Sequence, residues 1–130
     1  MDHGPNVAFE GGFSIWQADH AYQIIFGRSP GVAGRLGHEN CELYFETDDL
    51  DDMSARASNA GAQFVHPLRE QPWGQRVFRF YDPDGHIVEV GEPMPVVISR
   101  FLAQGMTVEQ ITQHTSMPTA IVQAIAGLNT

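Results

Sequence analysis

Residues 71–92, with the sequence QPWGQRVFRFYDPDGHIVEVGE, decide the fold of this chain. β-Branched and aromatic residues predominate in residues 77–81, and residues 82–85 are the turn-forming Asp-Pro-Asp-Gly. An extended pattern resumes in residues 86–90. Residues of these kinds favour two strands joined by a tight turn. The sequence therefore predicts a β-hairpin whose second strand carries a carboxylate, Glu89.

The segment before this hairpin alternates as a strand and then takes helical spacing. In residues 41–47, Leu43 and Phe45 share one face, and the other face carries Glu42, Tyr44 and Glu46. Asp48 or Asp49 can cap a helix that ends at Asn-Ala-Gly in residues 59–61, and residues 62–66 form another extended piece before the loop with Trp73. The order from residue 41 to residue 91 is one βαβββ module.

The two ends of the chain carry further elements. Residues 6–10 and 13–17 alternate around a two-residue Gly-Gly turn, residues 18–26 suit a short helix, and residues 27–40 have no periodicity. After Pro95 the pattern predicts three short helices, with a capping box at Thr107 and a last helix starting at Ser116. The tail resembles helix-turn-helix units, but its second helix carries no Arg or Lys, which favours a packing or dimer role.

Composition limits the class of protein. A chain of 130 residues with 42% hydrophobic residues suits one domain with a sizeable core. A single cysteine excludes an intrachain disulfide, and neither a membrane-length apolar run nor a targeting segment is seen, so we predict a cytoplasmic protein without a membrane partner. The formal net charge of -9 argues against nucleic acid as a partner.

The βαβββ order and the closing hairpin resemble the second half of the vicinal oxygen chelate superfamily, which includes glyoxalase I, bleomycin-resistance proteins and extradiol dioxygenases. The resemblance implies an α+β fold and a glyoxalase-like domain over residues 1–93, followed by a helical tail over 94–130. The domain divides into a partial first module (5–26), a linker (27–40) and a complete second module (41–91).

The resemblance also implies that the first strand, first helix and second strand of the first module would lie before Met1. Without them the sheet keeps unpaired edges with exposed apolar faces. Pairing with a second copy relieves this, so we predict a homodimer.

In the superfamily, alternate residues of each strand form the floor of a cupped site. The resemblance assigns Glu89 to the position of the last-strand Glu ligand and Glu42 to that of the second module's His, and implies a divalent metal. Trp16 stands where the first module's Glu would be. Two carboxylates without an imidazole suit manganese or magnesium better than zinc. The expected cup residues that contact ligand are Tyr44, Arg79, Tyr81, Trp16 and Trp73.

Two metal-free alternatives stay open. Glu89 and Glu42 can pair with Arg79 in a charge network, or one carboxylate with a raised pKa can act as a general base. Trp16 and Trp73 can form an apolar wall or simply belong to the core. His66 and His86 flank predicted loops and are expected to face solvent, and Cys41 is expected to be a small buried thiol.

The functions that follow belong to two classes. The resemblance implies a lyase, isomerase or dioxygenase that acts on a small oxygen-rich molecule. The alternative is a non-catalytic protein that binds a small aromatic or cationic compound, as bleomycin-resistance proteins do. The absent ligands favour the second class over a metal-dependent glyoxalase I.

Overall fold

The computed structural model describes residues 1–30 and 39–127, so His38 and most of the predicted linker lie outside the described residues. The described chain is of the α+β class, as predicted. Its elements are β1 (Asn6–Phe9), β2 (Phe13–Trp16), α1 (Ala18–Phe26), β3 (Glu42–Glu46), α2 (Leu50–Asn59), β4 (Gln63–Glu70), β5 (Arg76–Tyr81), β6 (Ile87–Gly91), α3 (Met94–Ala103), α4 (Val108–Thr115) and α5 (Thr119–Ile125).

Strands β3 to β6 form a four-stranded sheet in the order β3-β6-β5-β4. The predicted hairpin is present, since β5 and β6 pair antiparallel with Arg79 opposite Glu89. Strand β3 is parallel to β6 and sets Tyr44 beside Glu89. Directly paired residues project from the same face of a sheet, so Tyr44, Arg79 and Glu89 share one face, as the alternation predicted.

The other face of this sheet packs against α2. Leu50 of the helix contacts Phe78 and Val90, and these three buried residues form the centre of a hydrophobic cluster. Met53 and Ala57 extend the cluster along the helix at helical spacing. The helix ends at Asn59, close to the predicted end, and Gly61 takes a left-handed conformation with φ of 80°.

Strand β4 is longer than the sequence predicted, because it continues through His66 to Glu70. The register slips between Phe64 and His66, where one extra residue of β4 is accommodated. Without this β-bulge, His66 would share the face of Phe64 against α2, but the bulge turns it to the face of Arg79. The prediction of a solvent-facing His66 is therefore wrong: its exposed fraction is 6%.

The N-terminal strands form their own two-stranded sheet. Strands β1 and β2 pair from Asn6–Trp16 to Phe9–Phe13, so the connecting loop has three residues, Glu10 to Gly12, instead of two. Helix α1 follows with the predicted bounds. The Arg69 guanidinium donates hydrogen bonds to the carbonyls of Ile24 and Ile25 and so ties the end of α1 to β4.

The C-terminal segment folds into the three predicted helices, which enclose a second hydrophobic cluster. Val97, Ile98, Phe101, Ile111 and Val122 are its buried members. Thr107 caps α4 through the expected capping box with Gln110. Ser116 does not start α5 as predicted; it ends α4 in a left-handed conformation, and α5 begins after Pro118.

Several apolar side chains lie at the surface of the described chain. The outer edge of β3 pairs with no described strand, and Leu43 and Phe45 beside it are 52% and 55% exposed. The expectation for Cys41 is also wrong, because it is exposed just before this strand. Within residues 1–30 and 39–127, none of the helices has the length and apolar character that a bilayer span requires.

Candidate functional site

A cavity of about 660 Å³ lies over the polar face of the four-stranded sheet. Its floor includes Glu42, Tyr44, Arg79 and Glu89. The β1–β2 hairpin lines it with Trp16 among others, and the loop before β5 contributes Trp73. This volume is in the range of sites for small molecules.

The Arg79 guanidinium is the centre of the floor and is fully buried. Its Nε donates to Glu42 Oε2 at 3.0 Å, and its Nη2 donates to Glu89 Oε2 at 2.8 Å. Its Nη1 lies 3.1 Å from His66 Nε2 and donates to Gln71 Oε1 at 3.2 Å. Buried charges are tolerated when they are paired and hydrogen-bonded, and Arg79 satisfies both conditions.

His66 is held as a neutral ring by this arrangement. Its Nδ1 is 2.8 Å from the Pro67 carbonyl oxygen and must donate to it, which leaves Nε2 to accept from Arg79. Burial, with a smaller contribution from the positive charges of Arg69 and Arg79, lowers the pKa of His66 to about 4. His66 is thus a hydrogen-bond acceptor for Arg79 near neutral pH.

Glu89 has the most perturbed environment on the floor. Only 5% of this residue is exposed, and burial raises the pKa of its carboxyl well above the ordinary value. The negative charge of Glu42 raises the pKa further, while Arg79 opposes both effects. This direction matches the alternative in which two close carboxylates share a site and one takes up a proton.

Aromatic side chains line the cavity above this floor. The rings of Trp16 and Trp73 meet edge to face, with centroids 6.1 Å apart. Trp73 Nε1 donates to Gln75 Oε1 at 2.8 Å, and Gln75 Nε2 donates to the Tyr44 hydroxyl at 2.8 Å. The two tryptophans therefore form an apolar surface with fixed ring orientations.

The floor does not fit a divalent metal. Glu42, Glu89 and His66 are the donors that a cation would need, and all three are hydrogen-bonded to the Arg79 guanidinium. A divalent ion 4 Å from a guanidinium would meet a repulsion of about 8 kcal/mol at an effective dielectric constant of about 20. Both members of the implied ligand pair are thus already bonded to a cation of the chain itself.

A second group of potential ligands lies at the tip of the β5–β6 hairpin. Ligand atoms of Asp82, Asp84 and His86 lie within 4.8 Å of one another. Asp82 Oδ1 accepts hydrogen bonds from the backbone N–H groups of Asp84 and His86, so an ordinary turn explains this geometry. His86 is exposed, as predicted.

The structure brings together most of the side chains expected in the cup. Tyr81 is the exception, since its hydroxyl donates to Glu39 Oε1 at 3.1 Å and it is not a lining residue of the cavity. Sequence reasoning missed His66 and Gln71, which complete the shell of Arg79. Pro67 speaks against a strand that continues past residue 66, and the β-bulge that turns His66 towards Arg79 has no signal in the sequence.

The comparisons with known proteins agree with this architecture. Residues 1–95 match the model of the Glyoxalase-like domain family. The chain belongs to this family, and with it to the glyoxalase, bleomycin-resistance and dioxygenase superfamily that its sequence resembles.

Its relatives are similar over part of their length. An uncharacterized protein of Mycobacterium bovis is 34% identical over 83 residues, which are 64% of this chain and 54% of that protein. A counterpart in Mycobacterium tuberculosis has the same identity, with 48% of its length covered. The matched region thus spans about half the length of these curated relatives.

Solved structures give matches of the same kind. A protein of unknown function from Agrobacterium tumefaciens str. C58 is 45% identical, with 72% of this chain and 71% of that chain covered and a TM-score of 0.41. A member of the glyoxalase/bleomycin resistance protein/dioxygenase superfamily from Sphaerobacter thermophilus is 34% identical over 52% of this chain and 48% of that one, with a TM-score of 0.37.

Proposed function

We propose that this glyoxalase-like protein binds a small molecule in its cup without a metal ion. The observation that carries the proposal is the buried Arg79 guanidinium, which pairs with both Glu42 and Glu89. A protein cation thus occupies the position between the two carboxylates where the superfamily resemblance implies a metal. Sequestration, rather than metal-assisted chemistry, is the function that this floor supports best.

The chemistry of the lining defines the class of ligand. Trp16, Trp73 and Tyr44 offer aromatic surfaces, and Glu42 at the floor is partly exposed to the cavity. Aromatic faces and a nearby carboxylate both favour a cation with an apolar body. The net charge of -9 attracts the same ligands over longer distances. We propose an aromatic or aliphatic ammonium compound.

Binding of benzyltrimethylammonium tests this proposal, with benzyl alcohol as the neutral comparison. We expect the cation to bind with a Kd of about 1 mM or tighter, and a chelator to leave the Kd unchanged. Glu42→Gln should raise the Kd of the cation and leave the Kd of the alcohol unchanged. Glu109→Gln, on the exposed surface of α4, should change neither Kd. Stoichiometric metal that is lost in Glu89→Gln would instead point to a metal centre.

A second candidate function is proton abstraction next to a carbonyl, of the kind that an isomerase or lyase performs. The raised pKa of Glu89 favours it, because a buried carboxylate is a stronger base than an exposed one. Hydroxyacetone in deuterated water supplies the test, with loss of its C–H signals followed by NMR. Exchange that is faster with the protein and abolished in Glu89→Gln supports this activity. Equal rates with and without the protein reject it.

We also propose that the protein forms a homodimer through the outer edge of β3. An edge strand with exposed Leu43 and Phe45 beside it is a template for another strand, and an identical edge can pair with it about a two-fold axis. Phe45→Lys should then convert a dimer to a monomer in light scattering, whereas Ile121→Lys on α5 should not. A monodisperse wild-type monomer at micromolar concentration contradicts the proposal.

A further inference from the structure

The helical tail, residues 94–127, reaches the cavity. Its corner between α4 and α5 contributes His114, Thr115, Ser116 and Met117 to the lining. These four residues lie beyond residues 1–95, the region that matches the family model. Part of the pocket wall is therefore supplied by a segment outside the glyoxalase-like domain.

The α4–α5 corner is held in one conformation by its own contacts. Thr115 is buried, and its Oγ1 donates to the Ile111 carbonyl at 2.7 Å and accepts from the Met117 N–H at 3.2 Å. Ile111 is fully buried in the tail's hydrophobic cluster. The position of Met117 at the cavity is thus fixed to the core of the tail.

A second contact joins the tail to the loop that carries Trp73. Arg100 on α3 lies with Nη1 2.7 Å from Glu92 Oε1, and its Nη2 donates to the Gly74 carbonyl at 2.7 Å. Glu92 is almost fully buried and also accepts from the Arg76 N–H at 2.8 Å. Charge-assisted bonds between partly buried groups are strong, so Arg100 fixes the loop against the sheet.

Packing reinforces this contact on the other side of the loop. A Cβ added to Gly74 would lie 2.3 Å from the Phe101 ring, which shows how closely the loop meets α3. Phe101 in turn meets His114 edge to face, with centroids 5.2 Å apart. The Trp73 loop, α3 and the corner are therefore packed directly against one another.

From these contacts we infer that the tail is part of the ligand site: Met117 limits the size of the ligand, and Arg100 is a positioning residue for Trp73. The inference deepens the proposed binding function and rests on it for the ligand class. It also accounts for the helix-turn-helix pattern without DNA, because α5 carries no Arg or Lys.

The first test measures ligand size preference. Benzyltrimethylammonium and the larger (1-naphthylmethyl)trimethylammonium are titrated against Met117→Ala and against Met53→Ala, which truncates a methionine in the cluster under α2. We expect Met117→Ala to shift the ratio of the two Kd values by about tenfold towards the larger cation, and Met53→Ala to leave the ratio unchanged. An equal shift in both variants, or none in Met117→Ala, overturns the role of Met117.

The second test needs no ligand. The chain has two tryptophans, so Trp16→Phe leaves Trp73 as the only tryptophan reporter. In that background Arg100→Gln should increase acrylamide quenching of Trp73 by about twofold, because the loop opens locally. Arg100→Lys should restore part of the protection, and Arg56→Gln on the exposed side of α2 should have no effect. Unchanged quenching in Arg100→Gln overturns the positioning role.

The two tests fail in different ways. If neither cation binds the wild-type protein, the proposed binding function is wrong for this ligand class, while the quenching result still decides whether the tail holds the Trp73 loop. If both cations bind and neither test responds to the tail variants, the tail is not part of the site.

Discussion

The two faces of the four-stranded sheet bury different kinds of side chain. Phe78 and Val90 are paired across β5 and β6, and their apolar side chains pack against apolar residues of α2. One residue along the same strands, Arg79 and Glu89 pair on the other face, where a buried guanidinium meets a carboxyl group whose pKa is raised. A hydrocarbon face tolerates small changes of shape, whereas an ionic face fails when one partner is removed.

Arg79→Met should show this difference most strongly. The change leaves Glu42 and Glu89 close together in a desolvated site, and we expect a loss of about 3–5 kcal/mol in the free energy of unfolding. Phe78→Leu, at the neighbouring position, should cost about 1–2 kcal/mol, because the smaller side chain leaves only part of the ring's space empty. Urea denaturation measures both. Adding Glu42→Gln and Glu89→Gln to Arg79→Met should recover much of the loss, and no recovery would mean that the carboxylates are not the cause.

The pH dependence of stability should come from the ionic face. The pKa of His66 is about 4 in the folded protein against 6.5 ordinarily, so between these values the unfolded chain binds a proton that the folded chain does not. The contribution is complete above pH 6.5 and falls by about 3 kcal/mol as pH drops through pH 4.

His66→Gln should lack this loss on acidification. The raised pKa of Glu89 acts in the opposite direction, because its contribution is present at low pH and is lost as pH rises through the folded pKa. Since both proteins contain Glu89, the difference between their stability profiles isolates His66. Parallel profiles from pH 4 to pH 7 would show that His66 is not desolvated.

Gly74→Ala tests how tightly the loop beside the polar face of the sheet packs against the helical tail. Gly74 has φ of 87° and a ring carbon of Phe101 within 2.3 Å of the added Cβ, whereas Gly105 has φ of 85° and nothing within 4 Å. Both substitutions carry the same backbone strain, so the excess cost in Gly74→Ala reports the steric clash alone. We expect an excess of about 2 kcal/mol in thermal or urea unfolding. Equal costs would show that the loop is free to move away.

Trp73→Leu should have the smallest of these effects, and it is measured as a change in ligand binding. Loss of the aromatic face should make the binding free energy of benzyltrimethylammonium less favourable by about 1 kcal/mol, which raises its Kd about fivefold. Phe45→Leu removes an aromatic ring from the opposite face of the sheet and should not change the Kd. A Kd that is indifferent to Trp73 would remove the tryptophan pair from the proposed site.

Alternation in the sequence predicted much of this arrangement. The superfamily resemblance, in which alternate residues of each strand face the cup, assigned Arg79 and Glu89 to the same face, and the helix expected over residues 18–26 has the bounds of α1. The buried position of His66 was not predicted, because a bulge changes the face on which the following residues lie without changing the composition of the strand.

The exposure of Cys41 and the contribution of the tail could not be read from the sequence for a different reason. Cys41 precedes an apolar alternation, but the strand that follows it lies at the sheet edge, where Leu43 and Phe45 are exposed as well. Met117 reaches the cavity, and Arg100 reaches the loop that carries Trp73, through contacts between segments far apart in the chain. Local patterns carry no information about such long-range contacts.

The attachment of the N-terminal segment through Arg69 has a kinetic consequence. Within residues 1–30, Ile25 is the one buried hydrophobic residue, and the Arg69 bonds to the last turn of α1 provide much of the tether to β4. Such a segment opens at low cost without unfolding the larger sheet. Because the β1–β2 hairpin lines the cavity, each opening exposes the cavity to solvent, and conditions that increase amide hydrogen exchange in the hairpin should also speed ligand association.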